Sequence, residues 1–226
     1  MKKRTLALLC AVTMVIGIAI GGTVAWLVAT PATVTNTFTT SNVAIDLYET
    51  ASAEDTKHLT DRQLTMVPGV ELFKNPTVEV KADSLACYLF VKVTEKNNSL
   101  TKGGVKFAPV VWSIENSNPV WNDITDSVTG LAENERLYYI AVDAAIAKAG
   151  ATYQILKENQ VTIDSRVTKQ NMDDWQKAPD TRPELNFTAY AIQSDYLRDG
   201  NGEDLTVADI ADIWNLAKTE TTPSTP

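Results

Sequence analysis

The chain has 226 residues, 44% of them hydrophobic, and a net charge of −8. That length suits one all-β domain with a targeting segment, or at most two small domains, and the composition is enough to fill a core. Three of its 20 Lys and Arg fall within the first four residues, so the remainder carries 17 basic against 28 acidic residues, a net −11. Such acidity repels phosphate backbones and anionic lipid, so no nucleic-acid partner is expected.

The N-terminus reads as a targeting segment. Lys2, Lys3 and Arg4 precede an uncharged, almost wholly apolar run over residues 6–20, followed by Gly21-Gly22-Thr23-Val24-Ala25. Small residues at Thr23 and Ala25 fit a signal-peptidase site, giving a signal peptide over 1–25, with cleavage after Ala29 as the second option. The uncharged run continues to Ala29 and Trp26 sits where an interface anchor would, so a retained membrane anchor is the alternative. Either way residues beyond 30 lie outside the cytoplasm, secreted or at the cell surface, and touch membrane only through this segment. Of the two cysteines, Cys10 lies in the segment and Cys87 in the apolar run 85–90. Once the segment is removed no internal disulfide can form, and Cys87 reads as a small buried hydrophobe rather than a reactive thiol.

Residues 30–42 are rich in threonine, uncharged and β-prone, an extended arm or a strand. Val43, Ile45 and Leu47 alternate with Ala44 and Asp46, the first half-buried strand. Residues 49–63 are polar, hold the only histidine, His58, and predict a surface loop. Further strands are predicted over 77–81, 86–93, 110–114, 120–121, 137–142, 153–156, 161–163 and 185–193. Turns are predicted at 66–69, 97–99, 103–104, 116–119 and 158–159. Helices are predicted over 167–177, with Val167, Met172 and Trp175 available to pack, and over 207–218, with Val207, Ile210, Trp214 and Ala217 on one stripe. Thr206 and Asp209 suit a capping box at the start of the second. Residues 219–226, rich in Thr, Ser and Pro, read as a disordered tail. Many short alternating strands predict an all-β fold over 30–218, an antiparallel sandwich of jelly-roll or immunoglobulin-like type decorated by two short helices.

Catalytic patterns are missing. With one histidine there is no HExxH, and no GxSxG, P-loop or GxGxxG occurs, so neither an enzyme nor a cofactor is expected. Asp199, Asn201 and Glu203 have the alternate spacing of a calcium loop, but Asp204 stands where the sharp turn wants glycine and Ile210 where a carboxylate belongs. They are weak calcium candidates, and a Gly-rich turn is the simpler reading. Trp112 and Trp121 sit in apolar strands and read as core; Trp175 and Trp214 read as helix-docking residues.

Four segments in order resemble the TasA/camelysin family of Gram-positive bacteria. They are Gly21-Gly22-Thr23-Val24-Ala25-Trp26; residues 36–47; Val67-Pro68-Gly69 with Asn75-Pro76-Thr77-Val78 and the 88–94 strand; and residues 187–193. The resemblance implies a jelly-roll-like sandwich, export through a signal peptidase of the SipW type, and a role as a subunit of biofilm-matrix fibres. It implies self-association in which the mature N-terminal segment of one subunit completes the sheet of the next. Thr33, Val34, Thr35, Asn36, Thr37 and Phe38 suit such a donor strand, being extended and free of charge and proline. A head-to-tail contact of this kind builds filaments. Camelysin has been classed as a metalloprotease, but the sequence offers no metal-ligand set onto which that activity carries over. The functions expected are a secreted fibre subunit or accessory; alternatively a cell-surface module for glycans or a host partner; and last a metalloprotease.

Overall fold

Alternating apolar residues become antiparallel strands throughout the computed structural model, which describes residues 43–59 and 64–220. In chain order the strands are β1 (Ile45–Tyr48), β2 (Glu71–Phe73), β3 (Thr77–Val80), β4 (Cys87–Lys96), β5 (Leu100–Lys102), β6 (Val105–Phe107), β7 (Val110–Val111), β8 (Asn122–Asp123) and β9 (Glu135–Val142). Helix α1 (Ala144–Ala149) leads into β10 (Ala151–Gln154) and β11 (Gln160–Ile163). Helix α2 (Lys169–Lys177), β12 (Glu184–Gln193) and α3 (Ile210–Glu220) complete the order. Every paired strand is antiparallel. The fold is therefore all-β with a few short helices.

The largest sheet runs β12-β4-β9-β8. The β4–β12 ladder is ten residues long, from Cys87↔Gln193 to Lys96↔Glu184. Two three-stranded sheets, β1-β3-β10 and β2-β11-β7, continue one another. Segment 71–80 runs beside segment 151–163, and the break between the ladders is crossed by Ile155 N–H to Pro76 O at 3.0 Å and Lys74 N–H to Asn159 O at 2.8 Å. Glu158 and Asn159 take φ of 56° and 55° there, at the predicted turn. A β5–β6 hairpin turns at Gly103-Gly104, both at positive φ, the conformation a tight two-residue hairpin loop requires.

The period of two sorts each strand into faces. Leu89, Val91 and Val93 of β4, Ile140 and Val142 of β9, and Phe187, Ala189 and Ala191 of β12 share one core with Leu47, Val78, Val80, Val161 and Ile163 from the other sheets. The opposite face of the large sheet presents Phe90, Leu137, Tyr190 and Ile192 to Ile213, Trp214 and Ala217 of α3. Trp214 meets Tyr190 edge-on at 4.9 Å and Phe90 at 5.5 Å between ring centroids. The large sheet is thus buried on both faces, in keeping with the continuous apolar run Cys87–Val91 of β4.

Helix caps follow the sequence. Thr168 and Asn171 form a capping box at α2, and Thr206 and Asp209 form another ahead of α3. The second helix starts later than predicted, because 207–209 form a 3-10 turn and Val207 is left 53% exposed. It also ends later: α3 runs to Glu220, so Thr219 belongs to the helix rather than to a tail. Helix α1 was not predicted. Asp143 caps it by accepting from Ile146 N–H, and Gly150 closes it at φ 81°.

Two strand predictions shift. The 110–114 strand shortens to Val110–Val111, because the segment it pairs with turns at Glu158-Asn159 and pairing resumes only at an isolated Ile114–Leu156 bridge. Asn98, itself buried, brackets Val110 with hydrogen bonds to both its N–H and its C=O. The 120–121 strand moves to Asn122–Asp123, while Trp121 turns inward and donates its indole N–H to Gln154 O at 2.8 Å. Among the described residues no helix is long and apolar enough to cross a membrane.

Candidate functional site

The outer face of β1-β3-β10 collects the most reactive set of side chains. On β1 the inward residues are Ile45 and Leu47, so Asp46 and Tyr48 face outward. On β3, Val78 and Val80 are fully buried and Glu79 faces outward. The register sets Asp46 directly opposite Glu79 and Tyr48 opposite Thr77. Like charges directly opposed across two strands repel unless a cation lies between them.

Two basic side chains reach the pair from different directions. Lys81, two residues beyond Glu79 on the same face, places its ammonium 2.6 Å from Glu79 Oε2 and 3.4 Å from Asp46 Oδ2. The hydrogen bond with Glu79 is the main cause that raises the Lys81 pKa above the ordinary lysine value, against a smaller opposing effect of burial. The second arrival is His58, whose Nδ1 lies 3.3 Å from Asp46 Oδ2.

The position of His58 is built by its neighbours. Glu49 and Leu59 form an isolated β-bridge through two backbone hydrogen bonds of 2.9 and 2.8 Å. This folds the chain back on β1, so the predicted surface loop is partly ordered by the strand edge. The imidazole then stacks on the Tyr48 ring at 3.5 Å between centroids with 4° between planes. Nearby, Thr50 N–H donates to Asn75 Oδ1, and Lys74 pairs with Glu49 at 2.6 Å in a largely buried contact. The Asp46, His58 and Glu79 donor atoms all lie within 4.8 Å of one another. In sequence the lone histidine reads as a polar-loop residue, because its partners Asp46 and Glu79 are 12 and 21 residues away. The signal that could have found them was the outward placing of Asp46 and Glu79 on adjoining strands.

The weak calcium candidates behave differently. Asp199 Oδ1 accepts from the backbone N–H of both Asn201 and Glu203, each at 2.9 Å, and Asp199 Oδ2 accepts from the Asn201 amide at 3.1 Å. Backbone donation, first from Glu203, holds the Asp199 carboxyl below its ordinary value. The carboxylate thus serves the hairpin turn closed by Arg198 and Asp204.

Cys87 is buried, and burial pushes its thiol up to about 12, so the thiolate is scarce near neutrality. Trp112 is only half-buried. It donates its indole N–H to Glu95 and meets Tyr138 edge-on at 6.4 Å, in a cleft of about 290 Å3 that also holds Arg136. It is a cleft wall, not the core residue predicted.

A larger cleft of about 490 Å3 opens between the ends of β2 and β12. Leu64, Met66, Leu72, Val161 and Ile163 line one side and residues 183–186 the other. Beside it, β12 is the last strand of its sheet among the described residues. The cleavage residues Thr23, Ala25 and Ala29 and the donor-strand residues 33–38 lie outside the described residues. Comparison with family models, with curated proteins and with solved structures finds no match to this chain.

Proposed function

We propose that this chain is a secreted, non-enzymatic fibre subunit of TasA-like kind, a jelly-roll-type sandwich. In this reading it polymerises when residues 33–38 of one copy add as a strand to the open edge of the next. One observation carries the reading. Among the described residues strand β12 is a ten-residue edge strand, and from Leu185 to Gln193 it contains no charge and no proline. Soluble proteins usually guard such an edge with lysine, proline or a bulge, because unpaired N–H and C=O groups recruit further strands.

Two further features support it. The cleft beside the first half of β12, apolar along Met66, Leu72, Val161 and Ile163 and polar at Lys74, Asp180 and Arg182, offers a place for alternate side chains of an added strand, which would set its register. The proposed donor segment is uncharged and rich in threonine, so it meets an acidic domain without repulsion. Electron microscopy of the purified mature protein tests the proposal. Filaments are expected from the wild type and none from a variant lacking residues 26–38. Filaments from both would overturn it.

The partly exposed Trp112 favours a second reading, a glycan-binding module. An indole face beside Glu95 and Arg136 offers stacking together with polar groups for hydroxyls. A Trp112→Ala variant that loses retention on polysaccharide while still forming filaments would support a binding role in addition.

A further inference from the structure

We infer that Asp46, His58 and Glu79 form a binding site for one divalent transition-metal ion of the zinc class. The inference is independent of the fibre reading. It starts from the charge arrangement, in which the β1–β3 register opposes two carboxylates on an exposed face. The only imidazole of the chain is held against one of them by a stacked tyrosine and a β-bridge.

The donor set selects the ion. One imidazole nitrogen and two carboxylate oxygens suit Zn2+ and its neighbours, whereas calcium prefers oxygen alone and six or more ligands. The geometry agrees. Donors bound tetrahedrally to zinc at its usual bond lengths stand about 3.4 Å apart. His58 Nδ1 and Asp46 Oδ2 already stand 3.3 Å apart, and Glu79 lies within 4.8 Å of both. Three protein ligands leave the fourth position to water.

The Lys81 ammonium bridges the two carboxylates, 2.6 Å from Glu79 and 3.4 Å from Asp46. It is a built-in competitor: it neutralises the carboxylate pair and must withdraw when a metal enters. Its side chain is 41% exposed and can extend into solvent. Removing Lys81 should therefore strengthen metal binding, an effect that a merely structural salt bridge would not produce.

The test is a titration of tag-free, full-length secreted protein with ZnCl2, read by calorimetry and by the NMR signals of the single imidazole. The expected result is one Zn2+ per chain, a shift of the His58 resonances at equivalence, and no competition from millimolar Ca2+. His58→Gln and Asp46→Asn should each weaken binding by more than about 10-fold. Lys81→Met should tighten it by roughly 10-fold, the effect of removing one charge about 5 Å from a divalent ion in a high-dielectric setting. All three side chains are at least partly exposed, so near-UV circular dichroism is expected to match wild type. No saturable binding, binding that survives His58→Gln, or weaker binding in Lys81→Met would each overturn the inference.

Discussion

Asp46 and Glu79 face each other across β1 and β3 with the Lys81 ammonium between them, 3.4 Å from one carboxylate and 2.6 Å from the other. Two acids opposed on an outer sheet face gain nothing from each other. Their tolerance depends on a shared cation. Lys81→Met should therefore cost the apo protein less than about 1 kcal/mol, given the exposure of the group. Adding Glu79→Gln should recover most of that loss. Thermal melts of the two single variants and the double variant measure the coupling; additive losses would show that the lysine does not bridge.

Trp214 ties α3 to the sheet through Phe90 and Tyr190 and is 3% exposed. Trp214→Ala should destabilise the domain by about 3–5 kcal/mol, the usual cost of a large aromatic lost from a filled site. Urea unfolding followed by far-UV circular dichroism checks this. A loss under about 1 kcal/mol would mean that the helix is dispensable to the sheet.

Cys87 should resist thiol reagents in the native state, because burial both blocks access and raises its pKa to about 12. Labelling at neutral pH should be complete in denaturant and very slow without it. Its native rate should follow global unfolding, since β4 lies at the centre of the large sheet. Rapid native labelling would contradict this placement.

Glu135 supplies a pH-dependent term. Burial raises its pKa, but the hydrogen bond from Lys92 and the Ala132 N–H outweigh that, so the folded carboxyl titrates below its ordinary value. The contribution is therefore complete above the ordinary glutamate range and is lost as pH falls through the depressed folded value. Glu135→Gln should cost about 1 kcal/mol near pH 7. The gap from wild type should close on acidification, as denaturation midpoints at several pH values would show. A pH-independent gap would assign the effect to packing instead.

Strands with a clean period of two were legible before any coordinates. β3, β4, β9 and β12 fall within a few residues of their predicted spans, and alternate residues of β4 and β12 go to the two cores. The reason is that each of these strands buries at least one face against a neighbour. Short elements were not legible. Helix α1 has six residues, too few for a periodic stripe, and only Asp143 and Gly150 marked its ends. β7 stopped short because the segment opposite it turns at Glu158-Asn159, so pairing resumes only at the Ile114–Leu156 bridge. The Asp46–His58–Glu79 group was invisible for a related reason: it exists only through strand register and a long-range bridge.

The account rests on an open sheet edge that accepts a threonine-rich arm. The most direct measurement is amide hydrogen exchange of a variant lacking residues 26–38, with and without a synthetic peptide spanning residues 30–42. The account predicts that the peptide slows exchange along residues 185–192 of β12 and leaves the buried β4 amides unchanged. An unaltered β12 at saturating peptide, or protection confined to other strands, would contradict it.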